Sequence, residues 1–201
     1  KPLYNVYRIG CWQSEKYLKD KEEIIRKEFT LKDLIENRGE SDLSKIILNK
    51  IKSSKYSISV NIRRGDYANN PLIRNHYGLI SKDYFIKGVE YINKNLNLNN
   101  LDTNIFIFSD DIEWCKNNLL ELEEFGNVIF VSEKLSPTDT LHLISICKSN
   151  VIANSSFSWW GAWLNTNSEK IIIAPKNWMK AHVKTKDVCP NEWIRLENEF
   201  Y

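Results

Sequence analysis

Short apolar runs that alternate with helix-like segments constrain the fold of this 201-residue chain more than any other feature. The runs lie between residues 57 and 175 and read SISVNI, IFIF, VIFV, NVIAN and KIIIAP. Short apolar strands that are buried on both faces and separated by helices are typical of parallel sheets covered by helices. The alternation therefore predicts an α/β fold with a parallel sheet, in which ligands bind outside the carboxyl ends of the strands.

The segments around these strands carry the apolar spacing of helices. We predict helices over 14–29, 41–51, 81–96, 112–120, 140–149 and 155–165. Serines cap the second and third of these, and Thr138 with Asp139 is expected to cap the helix that begins at 140. The stretch holding residues 69–71 is interpreted as a polar loop, and the asparagine-rich stretch 93–104 as a surface loop.

Composition excludes several classes of protein. Hydrophobic residues make up 42% and charged residues 27%, which are ordinary values for a globular domain. The 28 basic and 26 acidic residues leave a net charge of +2, too small a field to hold nucleic acid or an anionic membrane by itself. The apolar runs are far shorter than the roughly 20 residues needed to span a bilayer, and no leader sequence is recognised.

The cysteines and histidines show no metal-binding or disulfide pattern. Cys11, Cys115, Cys147 and Cys189 lie far apart with no CxxC pair, which is typical of a protein from the reducing cytosol. The three histidines, His76, His142 and His182, share no close spacing with each other or with a cysteine. We therefore predict no structural zinc site and no bound metal.

Two arginines follow the first predicted strand. Arg63 and Arg64 stand beside Gly65 and Asp66, in the sequence VNIRRGDY. Arginine binds phosphate through two parallel hydrogen bonds and stays charged, so a pair at a strand end suits a pyrophosphate group. The simpler interpretation is a salt bridge to Asp66, and both can hold if Asp66 orients one arginine while the other binds the ligand.

Two carboxylates follow the second strand. Asp110 and Asp111 stand where a strand passes into a helix, and the simpler interpretation is that Ser109 or Asp110 caps the helix. Capping needs only one such group. A second carboxylate at this position can accept hydrogen bonds from ribose hydroxyls or from the N–H groups of guanine.

A serine-rich segment follows the strand NVIAN. Ser155 and Ser156 stand at the start of a predicted helix, where free backbone N–H groups and the helix dipole favour a phosphate, although serines there often only cap the helix. The tryptophans of that helix are interpreted as core residues, because their spacing is that of a buried stripe. They are Trp159, Trp160 and Trp163. Taken together, the arginines, carboxylates and serines along one sheet edge predict a nucleotide diphosphate site.

The same motifs resemble a known family. The blocks CWQSEKYL, IRRGDY, FIFSDDIEWC, SICKSNVIANSSFSWWGAWLN and IIAPKNWM, in this order over nearly the whole chain, are similar to those of the bacterial α1,2-fucosyltransferases. The resemblance implies the carboxyl-terminal, donor-binding half of a GT-B type glycosyltransferase with a Rossmann-like parallel sheet. It also implies inversion at the anomeric carbon, GDP-fucose as co-substrate, no cofactor or metal, and a galactoside-containing glycan as acceptor.

The resemblance also implies roles for individual residues. Arg63 and Arg64 would hold the pyrophosphate, with Arg64 stabilising charge on the β-phosphate and Asp66 bracing the loop, which makes Arg64 and Asp66 the catalytic candidates. Asp111 would contact guanine. The remaining candidates for binding GDP-fucose are Asn61, Asp110, Ser155, Ser156 and Ser158. No residue is assigned as general base.

Two departures from the family pattern stand out. The family carries a glycine-rich segment near its amino terminus, which this chain with seven glycines does not show, so we expect the acceptor half to be largely absent upstream. Residues 1–52 would then be a helical link to that half and 53–201 the GDP-fucose-binding domain. Related enzymes often have histidine where this chain has Asn61, which hydrogen-bonds but does not titrate.

These features favour a galactoside 2-alpha-L-fucosyltransferase of the cytoplasm, with at most peripheral contact at the inner face of a bacterial membrane through a lipid-linked acceptor. A non-catalytic nucleotide-sugar-binding module, or an inactive fragment, is the alternative from another class. A fucosyltransferase acting on protein hydroxyls shares the arginine and serine motifs, but an extracellular setting predicts paired cysteines and a leader.

Overall fold

A computed structural model describes residues 13–29, 35–181 and 185–201. Six parallel strands form one sheet within these residues, which confirms the predicted α/β class. The strands are β1 (Tyr56–Ile62), β2 (Thr103–Ser109), β3 (Asn127–Phe130), β4 (Ser149–Ile152), β5 (Ile172–Pro175) and β6 (Ile194–Leu196). Helices cover both faces of the sheet.

The described residues contain eight α-helices, labelled α1 to α8 in chain order. They are α1 (Glu22–Glu28), α2 (Leu43–Ser53), α3 (Gly65–Asn69), α4 (Pro71–Tyr77), α5 (Lys82–Leu96), α6 (Ile112–Asn118), α7 (Pro137–Ser145) and α8 (Ser156–Leu164). Two short 3-10 turns precede α1 and one precedes α2. Another lies directly before β2, and the last follows α6. The order of elements is the alternation of strands and helices that the sequence predicts.

The strand order is β3-β2-β1-β4-β5-β6, so the order reverses between β1 and β4. Asn61 near the end of β1 pairs in register with Phe108 of β2 and with Ile152 of β4. This is the strand order of Rossmann-like folds, in which ligands bind in the crevice at the reversal point. This strand order therefore predicts a ligand crevice beside the carboxyl ends of β1 and β4.

The two faces of the sheet bury separate hydrophobic clusters. One face packs α5 against β1 and β4, with Val60, Phe85 and Ile105 fully buried among its residues. The other face carries two clusters, one around Phe106 with α2 and α7 and one around Trp159 in α8. Burial on both faces explains why these strands read as continuous apolar runs rather than as alternating ones.

Helices α7 and α8 approach each other closely. A Cβ atom at Gly161 would lie 2.5 Å from Cγ2 of Ile144, so only glycine allows the contact without displacement of Ile144. Both helices follow parallel strands, and their amino-terminal turns therefore lie at the same edge of the sheet. The close contact fixes the positions of α7 and α8 relative to each other.

Several sequence expectations need correction. The single helix expected over 14–29 is two 3-10 turns followed by the short helix α1, and the loop expected around 69–71 is the junction of α3 and α4. Asn70 accepts hydrogen bonds from the amides of Leu72 and Ile73, and Pro71 occupies the first turn of α4. An asparagine cap before a proline therefore began a helix where we expected only a turn.

Helix α7 is capped by Ser136, not by Thr138 or Asp139 as expected. The hydroxyl of Ser136 accepts a hydrogen bond from the amide of Asp139, and Pro137 follows as the first residue of the helix. The Asp139 side chain is instead buried against Arg38 and Ser44. This pairing ties the segment before β1 to the helix that borders the crevice.

The segment before β1 packs onto the same core. Ile35 is buried with Leu48 and Ile51 of α2 in the cluster that also contains Phe108 and Ile144. The proposed domain boundary at residues 52 and 53 lies at the end of α2, and it stays a prediction. Wherever the domain boundary lies, the apolar contacts of α2 contribute to the wall behind the crevice.

Candidate functional site

A cavity of about 430 Å³ lies at the carboxyl edge of the sheet, beside the reversal point. Residues at the ends of β1 and β2, the segment after β3, and the first turns of α7 and α8 form its walls. The lining residues are Asn61, Ile62, Arg63, Phe108, Ser109, Asp110, Val131, Ser132, Glu133, Leu135, Pro137, Thr140, Ile144, Ser155, Phe157 and Ser158. The fold therefore brings all three predicted motifs to one edge.

The predicted site residues divide into two groups. Those that line the cavity are Asn61, Arg63, Asp110, Ser155 and Ser158. Those that are not among its lining residues are Arg64, Asp66, Asp111 and Ser156. Within each motif, one residue thus lines the cavity while its neighbour in the sequence does not.

Arg63 is the accessible arginine of the pair. Its guanidinium lies 2.7 Å from Oδ1 of Asp66 and 2.9 Å from Oδ2 of Asp110, and 40% of the side chain is exposed. Both ion pairs are partly solvated, so each contributes little to stability. The two carboxylates hold the guanidinium at the cavity wall, as expected for a residue that is oriented before a ligand arrives.

Arg64 is held in place by contacts behind the cavity. Its Nε donates to Oδ2 of Asp111 at 3.0 Å, and its guanidinium carbon lies 3.8 Å from the ring centroid of Trp114. Only 14% of the side chain is exposed. The ion pair and the cation–π contact join the end of β1 to helix α6 and leave Arg64 little freedom to reach a ligand.

Asp111 caps helix α6, where Ser109 or Asp110 was expected to do so. Its Oδ1 accepts a hydrogen bond from the amide of Trp114, while Oδ2 receives Arg64. Asp110 turns the other way and accepts from the backbone N–H of Arg64 at 2.8 Å. Of the two aspartates, Asp110 therefore lines the cavity and Asp111 caps the helix.

Gly65 allows Asp110 to approach the backbone closely. A Cβ at Gly65 would lie 2.5 Å from Oδ2 of Asp110, the same oxygen that pairs with Arg63. We expect Gly65→Ala to displace this carboxylate and to lower the free energy of unfolding by about 1–2 kcal/mol, as crowded substitutions do. Urea denaturation would measure the change.

Gly39→Ala is the matched control for this prediction. A Cβ at Gly39 would meet no atom of the described residues within 4 Å, so the free energy of unfolding should stay the same or rise slightly. Equal effects of the two substitutions would contradict the proposed crowding at Asp110.

The amino terminus of α8 borders the same cavity. Ser155 is the N-cap residue, and its side chain makes no capping hydrogen bond in the described structure. The amides of the first turn are therefore available, beside the buried Ser158, whose residue is 4% exposed. Free amides together with the dipole of a nine-residue helix favour an anion at this position.

Sequence reasoning missed the segment that follows β3. Ser132, Glu133 and Leu135 line the cavity, and one Glu133 oxygen also accepts from the amide of Ile112 at 2.7 Å. A carboxylate has room for further donors after one such bond. The signal was available, because VSEKLS follows a predicted parallel strand and such strands end at the same edge.

The tryptophans of α8 are structural, as the sequence predicts. Trp159 is fully buried and Trp163 is 4% exposed, and the indole N–H of Trp159 donates to the carbonyl of Val188 at 2.7 Å. Arg26 lies 4.0 Å from the ring centroid of Trp163, and Phe29 stacks on Trp160. These contacts hold α1 against α8.

The buried thiols are chemically quiet. Cys115, Cys147 and Cys189 are free and buried, whereas Cys11 lies outside the described residues. Burial raises the pKa of Cys115 to about 11 and that of Cys189 to about 12, and it raises the pKa of Cys147 as well. These three thiols therefore stay protonated and unreactive near neutral pH.

The expectation of no zinc site stays a prediction, since His182 is also outside the described ranges. Within residues 13–29, 35–181 and 185–201, no helix combines the length and the apolar character needed to cross a bilayer.

Comparison with known sequences points to one family. The sequence model described as glycosyl transferase family 11 matches residues 3–197. An alpha-1,2-colitosyltransferase of Escherichia coli is 37% identical over 191 residues, which cover 94% of this chain and 62% of that protein. The O-antigen biosynthesis glycosyltransferase WbnK of Escherichia coli is 38% identical over 138 residues, covering 69% of this chain and 44% of that protein.

A more distant relative comes from an animal. A galactoside 2-alpha-L-fucosyltransferase of Mus musculus is 27% identical over 180 residues, covering 86% of this chain and 46% of that protein. The chain thus spans between 44% and 62% of the length of these three relatives.

Proposed function

Because the chain belongs to glycosyl transferase family 11, we propose that it binds GDP-fucose and supplies the donor half of an inverting fucosyltransferase that acts on the 2-hydroxyl of a galactoside. Relatives named as transferring colitose or fucose in α1,2 linkage support this choice of reaction. The relatives also contain sequence beyond the matched region, and we assign the acceptor to that additional part.

One observation carries the proposal. The exposed guanidinium of Arg63 and the uncapped start of α8 border the same cavity at the reversal point of the sheet. The oxygens of a diphosphate are stabilised by positive charge and by hydrogen-bond donors that point at them. Arg63 and the start of α8 supply both. We place the pyrophosphate between them.

The cavity also suits a base that offers hydrogen-bond donors. Its walls combine apolar side chains such as Phe108 and Leu135 with the carboxylates of Asp110 and Glu133. Guanine presents its N1–H and its 2-amino group side by side, and carboxylates can accept both, whereas adenine has an acceptor nitrogen at N1 and no 2-amino group. We therefore propose that Glu133 and Asp110 select guanosine, a role that the sequence analysis gave to Asp111.

The proposed chemistry is departure of GDP as an acceptor hydroxyl attacks the anomeric carbon. Negative charge then develops on the β-phosphate, and groups held in place beforehand stabilise it best. Arg63 is better placed for this contact than Arg64, because Arg63 lines the cavity and 40% of its side chain is exposed, against 14% for Arg64. We propose that Arg64 braces the loop, that Asp66 orients Arg63, and that Arg63 with α8 supplies the positive charge.

Calorimetric titration of the purified chain tests donor binding. We expect GDP to bind more tightly than GMP by about tenfold or more, because GMP lacks the β-phosphate and its charge-assisted hydrogen bonds. ADP should bind more weakly than GDP, because adenine does not match the carboxylates. Addition of EDTA should leave GDP binding unchanged if Arg63 and α8 supply the charge.

Equal binding of GDP and GMP would remove the support for the pyrophosphate position. GDP binding without any transfer of fucose by the complete protein would favour a non-catalytic nucleotide-sugar-binding module.

A further inference from the structure

A chain of buried polar side chains runs from the cavity floor along the face of the sheet that packs against α7 and α8. Asn61, Ser59, Asn150 and Asn165 are each at most 2% exposed. The amide nitrogen of Asn61 donates to Oγ of Ser59 at 3.1 Å, and that of Asn150 donates to the same oxygen at 2.7 Å. Asn165 in turn donates to Oδ1 of Asn150 at 2.8 Å.

The far end of this chain is fixed by backbone groups. Asn150 also donates to the carbonyl of Ile144, and Asn165 donates to the carbonyl of Cys147. The chain therefore joins β1 and β4 to the end of α7 and to the residue after α8. A network with so many backbone anchors leaves the Ser59 hydroxyl little freedom to move.

The near end of the chain is incomplete. Oδ1 of Asn61 is buried and has no hydrogen-bond partner in the described structure, although Asn61 lines the cavity. An unpaired buried acceptor is costly, so folded proteins rarely keep one without a reason. Because the amide nitrogen is committed to Ser59, the oxygen is the group left for a donor on a ligand.

We infer that Ser59, supported by Asn150, is a positioning residue for nucleotide binding that acts through the amide of Asn61. This inference rests on the proposed function, since the ligand is the guanosine nucleotide. The Asn61 oxygen accepts from the 2-amino group of the base or from a hydroxyl of the ribose, not from a phosphate, which offers only acceptors at neutral pH. Ser59 itself touches no ligand.

The test is GDP titration of Ser59→Ala against a matched control. Ser57 lies two residues earlier on the same face of β1, is 1% exposed, and accepts a hydrogen bond from the amide of Lys148. Ser57→Ala thus removes a hydrogen bond at the Cys147–Lys148 peptide, the far anchor of the chain, without touching either Ser59 or Asn61. We expect Ser59→Ala to weaken GDP binding about threefold to tenfold, the effect of one neutral hydrogen bond, and Ser57→Ala to leave it unchanged.

A double-mutant cycle separates positioning from general loosening. In an Asn61→Leu background, Ser59→Ala should cause no further loss of GDP affinity, because the group it positions is gone. IDP, 2′-deoxy-GDP and 3′-deoxy-GDP identify the ligand donor. The analogue that lacks this donor should bind the unmodified chain more weakly than GDP does. The same analogue and GDP should bind Asn61→Leu equally well.

Each remaining outcome counts against a specific statement. Equal losses of GDP affinity for Ser57→Ala and Ser59→Ala would overturn the positioning role, and so would a further loss in the Asn61→Leu background. In both cases, GDP binding by the unmodified chain would still support the proposed function. A well-folded unmodified chain that does not bind GDP would overturn the proposed function, and this inference with it. Asn95→Leu on the exposed surface of α5 controls for the change to leucine.

Discussion

Replacing Arg63 with alanine should weaken GDP binding by about 100-fold while changing stability little. Two charge-assisted hydrogen bonds to phosphate account for a loss of this size. The ion pairs of Arg63 with Asp66 and Asp110 are partly exposed, so their removal should cost under about 1 kcal/mol. Calorimetry with GDP and urea denaturation of the same sample measure the two effects.

Arg64→Ala is the neighbouring comparison, with the opposite expected result. Its guanidinium is held between Asp111 and Trp114, so truncation should lower the free energy of unfolding by about 1–3 kcal/mol. GDP binding should fall less than in Arg63→Ala. If Arg64→Ala lost GDP binding and Arg63→Ala bound GDP normally, the roles proposed for the two residues would be reversed.

The choice of nucleotide sharpens this prediction. If Arg63 binds the β-phosphate, Arg63→Ala should reduce GDP affinity much more than GMP affinity, and the preference for GDP over GMP should largely disappear. Arg63→Lys keeps the charge but loses the planar fork, so it should recover only part of the GDP affinity. Equal losses for GDP and GMP in Arg63→Ala would place the guanidinium on another part of the nucleotide.

The sequence predicts the sheet well because the strands are buried on both faces. Continuous apolar runs such as 105–108 have no alternative interpretation once helical segments separate them. β6 escaped notice because it has three residues, with the charged Arg195 in the middle. The pair Asn70 and Pro71 was interpreted as a loop because the same residues begin both turns and helices, and only the following packing decides between them.

The candidate site shows a similar division. Chain position alone gives the edge of the sheet at which Arg63, Asp110 and Ser155 meet, because parallel strands end together. It cannot distinguish Arg63 from Arg64, since adjacent residues of equal charge differ only in where their side chains go. That difference depends on Trp114, which lies about one helical turn into α6 and gives Arg64 an aromatic surface to pack on.

Asp139→Ala is expected to lower the free energy of unfolding by about 3 kcal/mol. Arg38 donates to both oxygens of this carboxylate at 2.6 and 2.8 Å, and the Ser44 hydroxyl donates at 2.8 Å. Asp139 is 4% exposed, so its loss removes these three buried bonds and leaves the partly buried Arg38 with the more distant carboxylate of Asp42, 3.8 Å away. Urea denaturation at neutral pH measures the loss.

The pH dependence gives this prediction a second readout. Burial alone would raise the pKa of Asp139, but hydrogen bonds from Arg38, Ser44 and Ser136 outweigh it and hold the pKa below its usual value. A carboxyl with a lowered pKa in the folded state stabilises above its unfolded pKa of about 4 and loses that contribution as the pH falls through its folded pKa. The stability difference between the unmodified chain and Asp139→Ala should therefore be constant near neutral pH and shrink below about pH 4.

Asp83→Ala provides the matched control for Asp139→Ala. Asp83 also stands in the first turn of a helix, α5, but it is exposed, so its loss should cost only the helix-dipole contribution of about 0.3–1 kcal/mol. If Asp139→Ala destabilised the chain no more than this control does, the buried pairing would not be what fastens α2 and the turn at residue 38 to α7. A large loss confined to Asp139 would instead locate a main attachment of the cavity wall in a residue that sequence reasoning had assigned to simple capping.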